Sequence, residues 1–364
     1  MTIREEELLE LIRKDPSISQ QELAGMLGIT RSSVAVHITN LIRKGDILGK
    51  GYILKKKDYI SVLGGANIDI IGFPTHSLVI ADSNPGRIRM TLGGVGRNIA
   101  ENLVHLGAPV KLITAIGEDI YGKKMLEHAN TIGLDMKESL ILSGMPTSTY
   151  LAILDEDSEM KVAINQMDII DEISIDFIQH KRQVIEGSKV CVLDTNIRTE
   201  VLHYVLDQFR NTIFFLDTVS SRKALKIKDR IGAFHTIKPN RIEAELLSGI
   251  RIEKLADMRK ASEFFIEKGV KRVFITLGSE GVFYNDGSTF RLIPNPRVDV
   301  VNATGAGDAF IAALTFCHFS GYGIDESARF AMAAAILALS CEETINPNLS
   351  KKNVEQKMME VGLC

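Results

Sequence analysis

Asn302-Ala303-Thr304-Gly305-Ala306-Gly307-Asp308-Ala309-Phe310 places a glycine-rich turn and a carboxylate at the start of an apolar helix. A helix N-terminus carries unpaired N–H groups and a partial positive charge, so the amides around Gly305, Ala306 and Gly307 suit an anion hole for a transferred phosphoryl group. Glycine lets the backbone come close. Asp308, in the first turn, would face the same pocket and accept the proton of an attacking hydroxyl, a role worth about 10²–10⁴-fold in rate. For this segment alone, a glycine turn with an acidic cap is the plain alternative.

Working outward, the chain from Tyr59 onward alternates short apolar strands with helices, which calls for a mainly parallel sheet covered on both faces, a three-layer α/β/α sandwich. Strands are expected at 60–63, 110–114, 190–193, 213–216, 235–237 and 272–276. Two stretches break the alternation, about 71–92 and 147–166, and read as β-strands outside the main sheet. Such strands would form a small lid over a pocket at the carboxyl ends of the parallel strands, where open α/β sheets bind ligands.

The first 57 residues have another character. Residues 3–14 read as a helix with Ile3, Leu8, Leu9, Leu11 and Ile12 apolar, and Ser17-Ile18-Ser19 opens a second helix through Leu27. After a turn at Gly28, Thr30 or Arg31 starts a third helix with the stripe Val34, Ile38, Leu41 and Ile42. A hairpin around Gly49-Lys50-Gly51, with strands at 47–48 and 52–54, completes a winged helix-turn-helix. In that geometry the third helix enters the DNA major groove and offers Arg31, Ser32, Ser33, His37, Asn40 and Arg43, while Lys50 and Lys55-Lys56-Lys57 meet phosphates. Residues 1–57 and 58–364 are therefore read as two domains. A module that merely mediates dimer contacts, or a relic, is the alternative for the first.

With 364 residues, 45% hydrophobic, the chain can bury one large core beside a small extra domain. The net charge is −3, with +3 in residues 1–57, from ten Lys/Arg against seven Asp/Glu, and −6 in the remainder. That gives no global drive toward nucleic acid or membrane. The acidic start lacks the pattern of a secretion signal and the most apolar window, 331–339, is too short to span a bilayer, so a cytoplasmic protein without a membrane segment is expected. Cys191, Cys317, Cys341 and Cys364 form no C-x-x-C pair, and three of them suit buried, reduced thiols. The eight histidines show no metal-ligand spacing.

A second glycine-rich segment, Gly93-Gly94-Val95-Gly96-Arg97-Asn98, runs directly into a helix. It matches neither the dinucleotide G-x-G-x-x-G nor the Walker A spacing. Its use would be close approach to a polyhydroxylated ligand, with Asn98 supplying both a donor and an acceptor. Asn67 and Asp69 follow the first strand, and Asp69 could accept two sugar hydroxyls; the alternative is a strand-end turn residue.

Gly93 to Asn98 and Ala303 to Phe310, in this order, resemble the two signatures of the ribokinase-like (PfkB) carbohydrate kinases over about residues 59–350. The resemblance implies an ATP- and Mg²⁺-dependent kinase. Asp308 would be its base, Gly305, Ala306 and Gly307 its anion hole, and Asn67, Asp69, Gly93, Gly94 and Asn98 its substrate contacts. It also implies that Asn240-Arg241-Ile242-Glu243 is the family's Asn-x-x-Glu motif, with Glu243 organising Mg²⁺ through water. Without it, a helix cap followed by a glutamate would be preferred. Thr276, Gly278 and Gly281 resemble the nucleotide-binding turn, Asn346 lies where the family closes over adenine, and Asn196 and Asp217 end neighbouring strands at the same rim.

Within the family the closest likeness is to pseudouridine kinases, through stretches such as Gly65-Ala66-Asn67-Ile68-Asp69, Ala81 to Gly86, Asp217-Thr218-Val219-Ser220 and Cys341 to Asn348. That implies phosphorylation of a nucleoside 5′-hydroxyl, with Ser83, Thr149, Tyr150 and Lys161 as lid candidates for the base. One departure concerns K⁺. Many members carry Asp where this chain has Asn302, at a position that helps build a monovalent-cation site; Asn keeps a carbonyl oxygen and loses the charge, which weakens the case for K⁺.

Two other readings stand beside a pseudouridine kinase. One is a transcription regulator that uses a kinase fold as a ligand sensor, although Asp308 is present. The other keeps the kinase and changes the acceptor to inosine, cytidine, ribose or, with no clear basic cluster in the lid to grip its phosphate, fructose 6-phosphate. A homodimer is expected, because winged helices commonly pair and lid strands have edges to cover.

Overall fold

The computed structural model describes residues 1–48, 58–157 and 159–364. The chain divides into two compact units, Met1–Asp58 and Tyr59–Cys364.

In the smaller unit, three helices are set by their caps. Thr2 and Ser19 form capping boxes with Glu5 and Glu22 ahead of helices Ile3–Lys14 and Gln20–Leu27, and Thr30 caps helix Arg31–Arg43. Gly28, with φ 62°, ends the second helix in the left-handed conformation glycine tolerates. Leu8, Ile12, Leu23, Val34, Ile38 and Leu41 make the core, and Lys44 pairs with the buried Glu5 at 2.7 Å. Two apolar positions expected inside are outside: Ile3 and Ile42 are 77% and 50% exposed, because each lies off the stripe facing the other two helices. Arg31, Ser32 and Arg43 are exposed, Ser33, His37 and Asn40 are half-buried, and Val36 and Thr39 share the outer face. The expected wing strand 52–54, Gly49-Lys50-Gly51 and the basic run 55–57 lie outside the described residues.

The larger unit is built on an eight-stranded sheet in the order Phe290–Ile293, Val282–Asn285, Arg272–Thr276, Thr236–Ile237, Phe214–Asp217, Val190–Asp194, Ile60–Leu63, Val110–Ile113. The last six are parallel; the first two form an antiparallel hairpin at the edge that the alternation does not reveal. Successive residues feed opposite cores. Val62 and Val192 pack with helices Val95–His105, Ala306–Ser320 and Ile324–Leu339, whereas Leu63 and Leu193 pack with helices Thr199–Gln208, Arg241–Ser248 and Leu255–Lys268. This is the three-layer sandwich.

Strands Asn67–Pro74, Gly86–Gly93, Thr149–Leu154 and Met160–Gln166 form the separate four-stranded sheet. The lid thus begins at Asn67, four residues before the expected start, so Asn67 and Asp69 stand on its first strand and Asp69 is not a strand-end turn residue. A third sheet pairs Ala115–Gly117 with Leu140–Leu142. Cys191 and Cys317 are buried, Cys341 is half-buried and Cys364 exposed, so two thiols rather than three are interior. Among the described residues no helix is long and apolar enough to cross a membrane.

Candidate active site

Two helix N-termini, both opened by glycine, meet at the carboxyl ends of the parallel strands. Gly305 (φ 86°) precedes helix Ala306–Ser320, and a Cβ there would collide with the Thr344 carbonyl. That helix has no side-chain cap, which leaves its first N–H groups available to an anion. Helix Val95–His105 starts after Gly94 and is likewise uncapped. A side chain on Gly93 would strike Asp69.

Asn98 joins the two helices, its Nδ2 donating to Asp308 Oδ2 at 2.8 Å. Arg97, buried, fixes the other end of that amide by donating to Asn98 Oδ1 at 2.9 Å. The same guanidinium donates to the Leu92 and Gly93 carbonyls and to Glu101 Oε2 at 2.6 Å. Burial alone would raise the Glu101 carboxyl, but His105, Arg97 and His128 together hold it down at about 2.

Burial and the neighbouring Asp217 push the Asp308 carboxyl up to about 7; Asn98 and Lys238 act in the opposite direction, and Asp194 adds to the rise. Such a carboxyl is poised to exchange a proton near neutrality. Lys238 is buried, and its Nζ stands 3.3 Å from Asp217 Oδ2 and over Gly307, where a Cβ would lie 3.2 Å away. Burial works against its charge, but Asp217, Asp308 and Glu243 outweigh it and raise its pKa. A cation thus faces the uncapped helix end.

Asp194, wholly buried, accepts from Gly65 N–H and Asn196 N–H, each at 2.8 Å, and so ties two strand ends together. Burial raises its carboxyl. Asn67 donates to Asp69 Oδ1 at 2.7 Å, and burial raises Asp69 against the pull of Asn67 and Arg97.

On the other side, Asn240 and Glu243 form a capping box, and Thr218 donates to Glu243 Oε2 at 2.6 Å. The helix-cap alternative is thus physically present, yet the same box holds a buried carboxylate at the rim. Asn240 bridges to Thr276, and the turn through Gly278 and Gly281 closes by Leu277 N–H donating to Gly281 O at 2.9 Å. The Asn196 amide accepts from Lys223 at 2.6 Å. Asn346 donates to Leu337 O at 2.7 Å and accepts from Asn348 N–H, so its amide first of all holds the loop that carries it.

Three lid candidates are not brought to this centre. Thr149 pairs with Ile68 whereas Asp69 pairs with Tyr150, which puts Thr149 on the opposite face of the lid, its hydroxyl donating to Thr147 O. Lys161 is taken by Asp155 at 2.6 Å. Ser83 is exposed in the loop between two lid strands, and no hydrogen bond joins it to the other candidates among the described residues. Lys238, Asp194, Thr218 and the role of Arg97 are the additions. Lys238 was detectable as the residue just before Pro239-Asn240 at a strand end; Arg97 divides its bonds between two backbone carbonyls and the Asn98 and Glu101 side chains, of which only the i,i+4 spacing to Glu101 is a sequence signal.

The model of the pfkB family carbohydrate kinases matches residues 57–352. The chain belongs to this family. It is a sugar or nucleoside kinase, an ATP-dependent phosphotransferase. A second family model, winged helix-turn-helix DNA-binding, matches residues 1–46. The pseudouridine kinase of Escherichia coli (strain K12) is 44% identical over 302 residues, 83% of this chain and 96% of that protein. The uncharacterized sugar kinase YeiI of the same organism is 39% identical over 355 residues, 97% of this chain and 98% of its own length, so that likeness runs through both units. Among solved structures, a candidate sugar kinase from Clostridium perfringens is 41% identical with a TM-score of 0.79, covering 84% of this chain and 97% of its own.

Proposed function

We propose that this PfkB-family kinase transfers the γ-phosphoryl group of MgATP to the 5′-hydroxyl of pseudouridine, giving pseudouridine 5′-phosphate and ADP. The observation that carries the chemistry is the Asn98–Asp308 contact at 2.8 Å beside an uncapped helix N-terminus. Asp308 takes the proton of the attacking hydroxyl as the O–P bond forms. The N–H groups of Gly305 to Gly307 and the Lys238 ammonium stabilise the charge on the moving phosphoryl group. Asp69 accepts sugar hydroxyls.

Mg²⁺, when bound with the nucleotide, neutralises phosphate charge. The donor set fits it: Glu243 and Asp217 are buried hard oxygen donors, Asp217 Oδ2 standing 3.3 Å from the Lys238 ammonium. In this reading Glu243 acts through metal-bound water, since Mg²⁺ keeps much of its hydration. Asn240, Thr276, Gly278, Gly281, Asn196 and Asn346 line the nucleotide side in this reading.

The 44% identical pseudouridine kinase supports the acceptor. ADP release with MgATP against pseudouridine, uridine, cytidine, inosine, ribose and fructose 6-phosphate tests it. Preference for pseudouridine upholds the reading; preference for another acceptor keeps the kinase and overturns the acceptor. Ligand binding with no turnover of any acceptor points to the sensor.

For the N-terminal unit we propose DNA binding by helix Arg31–Arg43, supported by the family match and the exposed Arg31, Ser32 and Arg43. For the lid we propose a homodimer contact. The register aligns Met90, Ile70, Leu151 and Ile164 in one row and Ile88, Gly72, Ile153 and Val162 in the next, an apolar face opposite Asp69. Ile88, Val162 and Ile164 are 75%, 51% and 64% exposed, and a second copy would cover them.

A further inference from the structure

The Asn302 side chain is engaged at both ends. Its Oδ1 accepts from Thr304 N–H at 2.9 Å, and its Nδ2 donates to the Glu342 carbonyl at 3.0 Å. An N–H on one side and a C=O on the other settle which end of the amide points where. Backbone bonds close the same junction: Val301 N–H and Asn302 N–H both donate to Leu339 O, at 2.8 and 3.3 Å. Gly305 packs directly on the Thr344 carbonyl. Residues 301–305, which lead into the anion-hole helix, are therefore laced to the segment 339–344.

A carboxylate at position 302 would still accept from Thr304. Its second oxygen would then face the Glu342 carbonyl oxygen, and two oxygens at that separation repel unless a cation lies between them. The donor site that a small cation would fill is already filled by an amide N–H. A K⁺ ion, which needs converging oxygens, does not fit where a hydrogen-bond donor points outward from Asn302.

We propose that Asn302 is a positioning residue whose amide takes the place of a bound monovalent cation, holding the 339–344 segment against the anion-hole turn so that phosphoryl transfer needs no such cation. This rests on the kinase reading given above.

The test compares the full-length protein with its Asn302→Asp and Asn302→Ala variants in K⁺, in Na⁺ and in a bulky organic cation. Two readouts are taken: ADP release with the preferred acceptor, and the melting midpoint without nucleotide. Wild-type turnover should stay within about twofold across the cations, and its midpoint should not respond to K⁺. Asn302→Asp should lose about tenfold in turnover without K⁺, the scale of one lost hydrogen bond replaced by repulsion, and regain it with K⁺ while its midpoint rises. Asn302→Ala should fall and stay low in every cation. Severalfold stimulation of the wild type by K⁺, or an Asn302→Asp variant indifferent to K⁺ in both readouts, overturns the proposal. If no acceptor is turned over, the kinase reading fails on its own, and the midpoints still decide whether Asn302→Asp has acquired a cation response that the wild type lacks.

Discussion

Asn98 donates its side-chain N–H to Asp308 Oδ2 at 2.8 Å, coupling two helices whose residues lie 210 positions apart in the chain. The contact matters because it holds a carboxylate whose own environment, burial and Asp217, favours the protonated form. Asp308→Ala should cut turnover by about 10²–10⁴-fold with little effect on ATP binding, read from steady-state rates and nucleotide titration. Retained turnover would remove Asp308 as the base.

Stability should move the other way. The folded Asp308 titrates at about 7, above its ordinary 3.8, so the folded state binds more protons than the unfolded state between those values. Its contribution therefore becomes less favourable as pH rises through that window. Asp308→Asn should melt higher than the wild type above pH 7, and the gap should close below about pH 4. The wild-type acceptor-dependent rate should fall as pH drops through 7. A constant gap across pH would show that the carboxyl titrates normally.

Lys238 tests the electrostatics from the opposite side, since its charge lowers the Asp308 pKa. Lys238→Met should shift the acidic limb of the pH–rate profile upward and lower kcat more than the KM of the acceptor. An unmoved limb would mean that the ammonium does not act on the base.

Arg97 and Glu101 should behave as a buried pair. Arg97→Met leaves the Glu101 carboxylate, which is 6% exposed, without its guanidinium partner and should cost about 3–5 kcal/mol in denaturant unfolding. The double variant Arg97→Met/Glu101→Met should recover much of that, while turnover stays low because the Asn98 amide is no longer pinned. Additive losses would show that the two residues act independently.

Much of this arrangement is legible in the chain, for local reasons. A glycine turn running into an apolar helix announces an uncapped N-terminus, and alternation of strands and helices announces a parallel sheet. The parts that escape depend on register or on backbone partners. Thr149 and Tyr150 are adjacent and both polar; only the pairing with Ile68 and Asp69 decides which one shares the Asp69 face of the lid. The edge hairpin at Val282–Asn285 and Phe290–Ile293 is hinted at only by Asp286-Gly287 between short apolar runs. Lys238 meets Asp217 because two neighbouring strands end together, which no local window contains.

The exposed apolar rows of the lid make the proposed dimer testable by a single charge. Ile164→Glu, on the face opposite Asp69, should convert a wild-type dimer to monomer in sedimentation while the fold is retained. A wild-type monomer, or a variant that remains dimeric, would move the interface elsewhere or abolish it.

DNA binding by the N-terminal unit should carry the mark of phosphate contacts. The affinity of the full chain for duplex DNA should fall linearly in log–log form with salt, and Arg43→Ala should weaken binding on all sequences and reduce that slope by about one. Arg31 stands at the N-terminal end of the same helix, where base edges are read in this motif, so Arg31→Ala should cost more on a preferred sequence than on others. Removal of residues 1–57 should abolish binding and leave ADP release unchanged. A truncated chain that still bound DNA would shift the nucleic-acid surface onto the kinase unit; a full chain with no affinity at low salt would leave the three helices as a contact module alone.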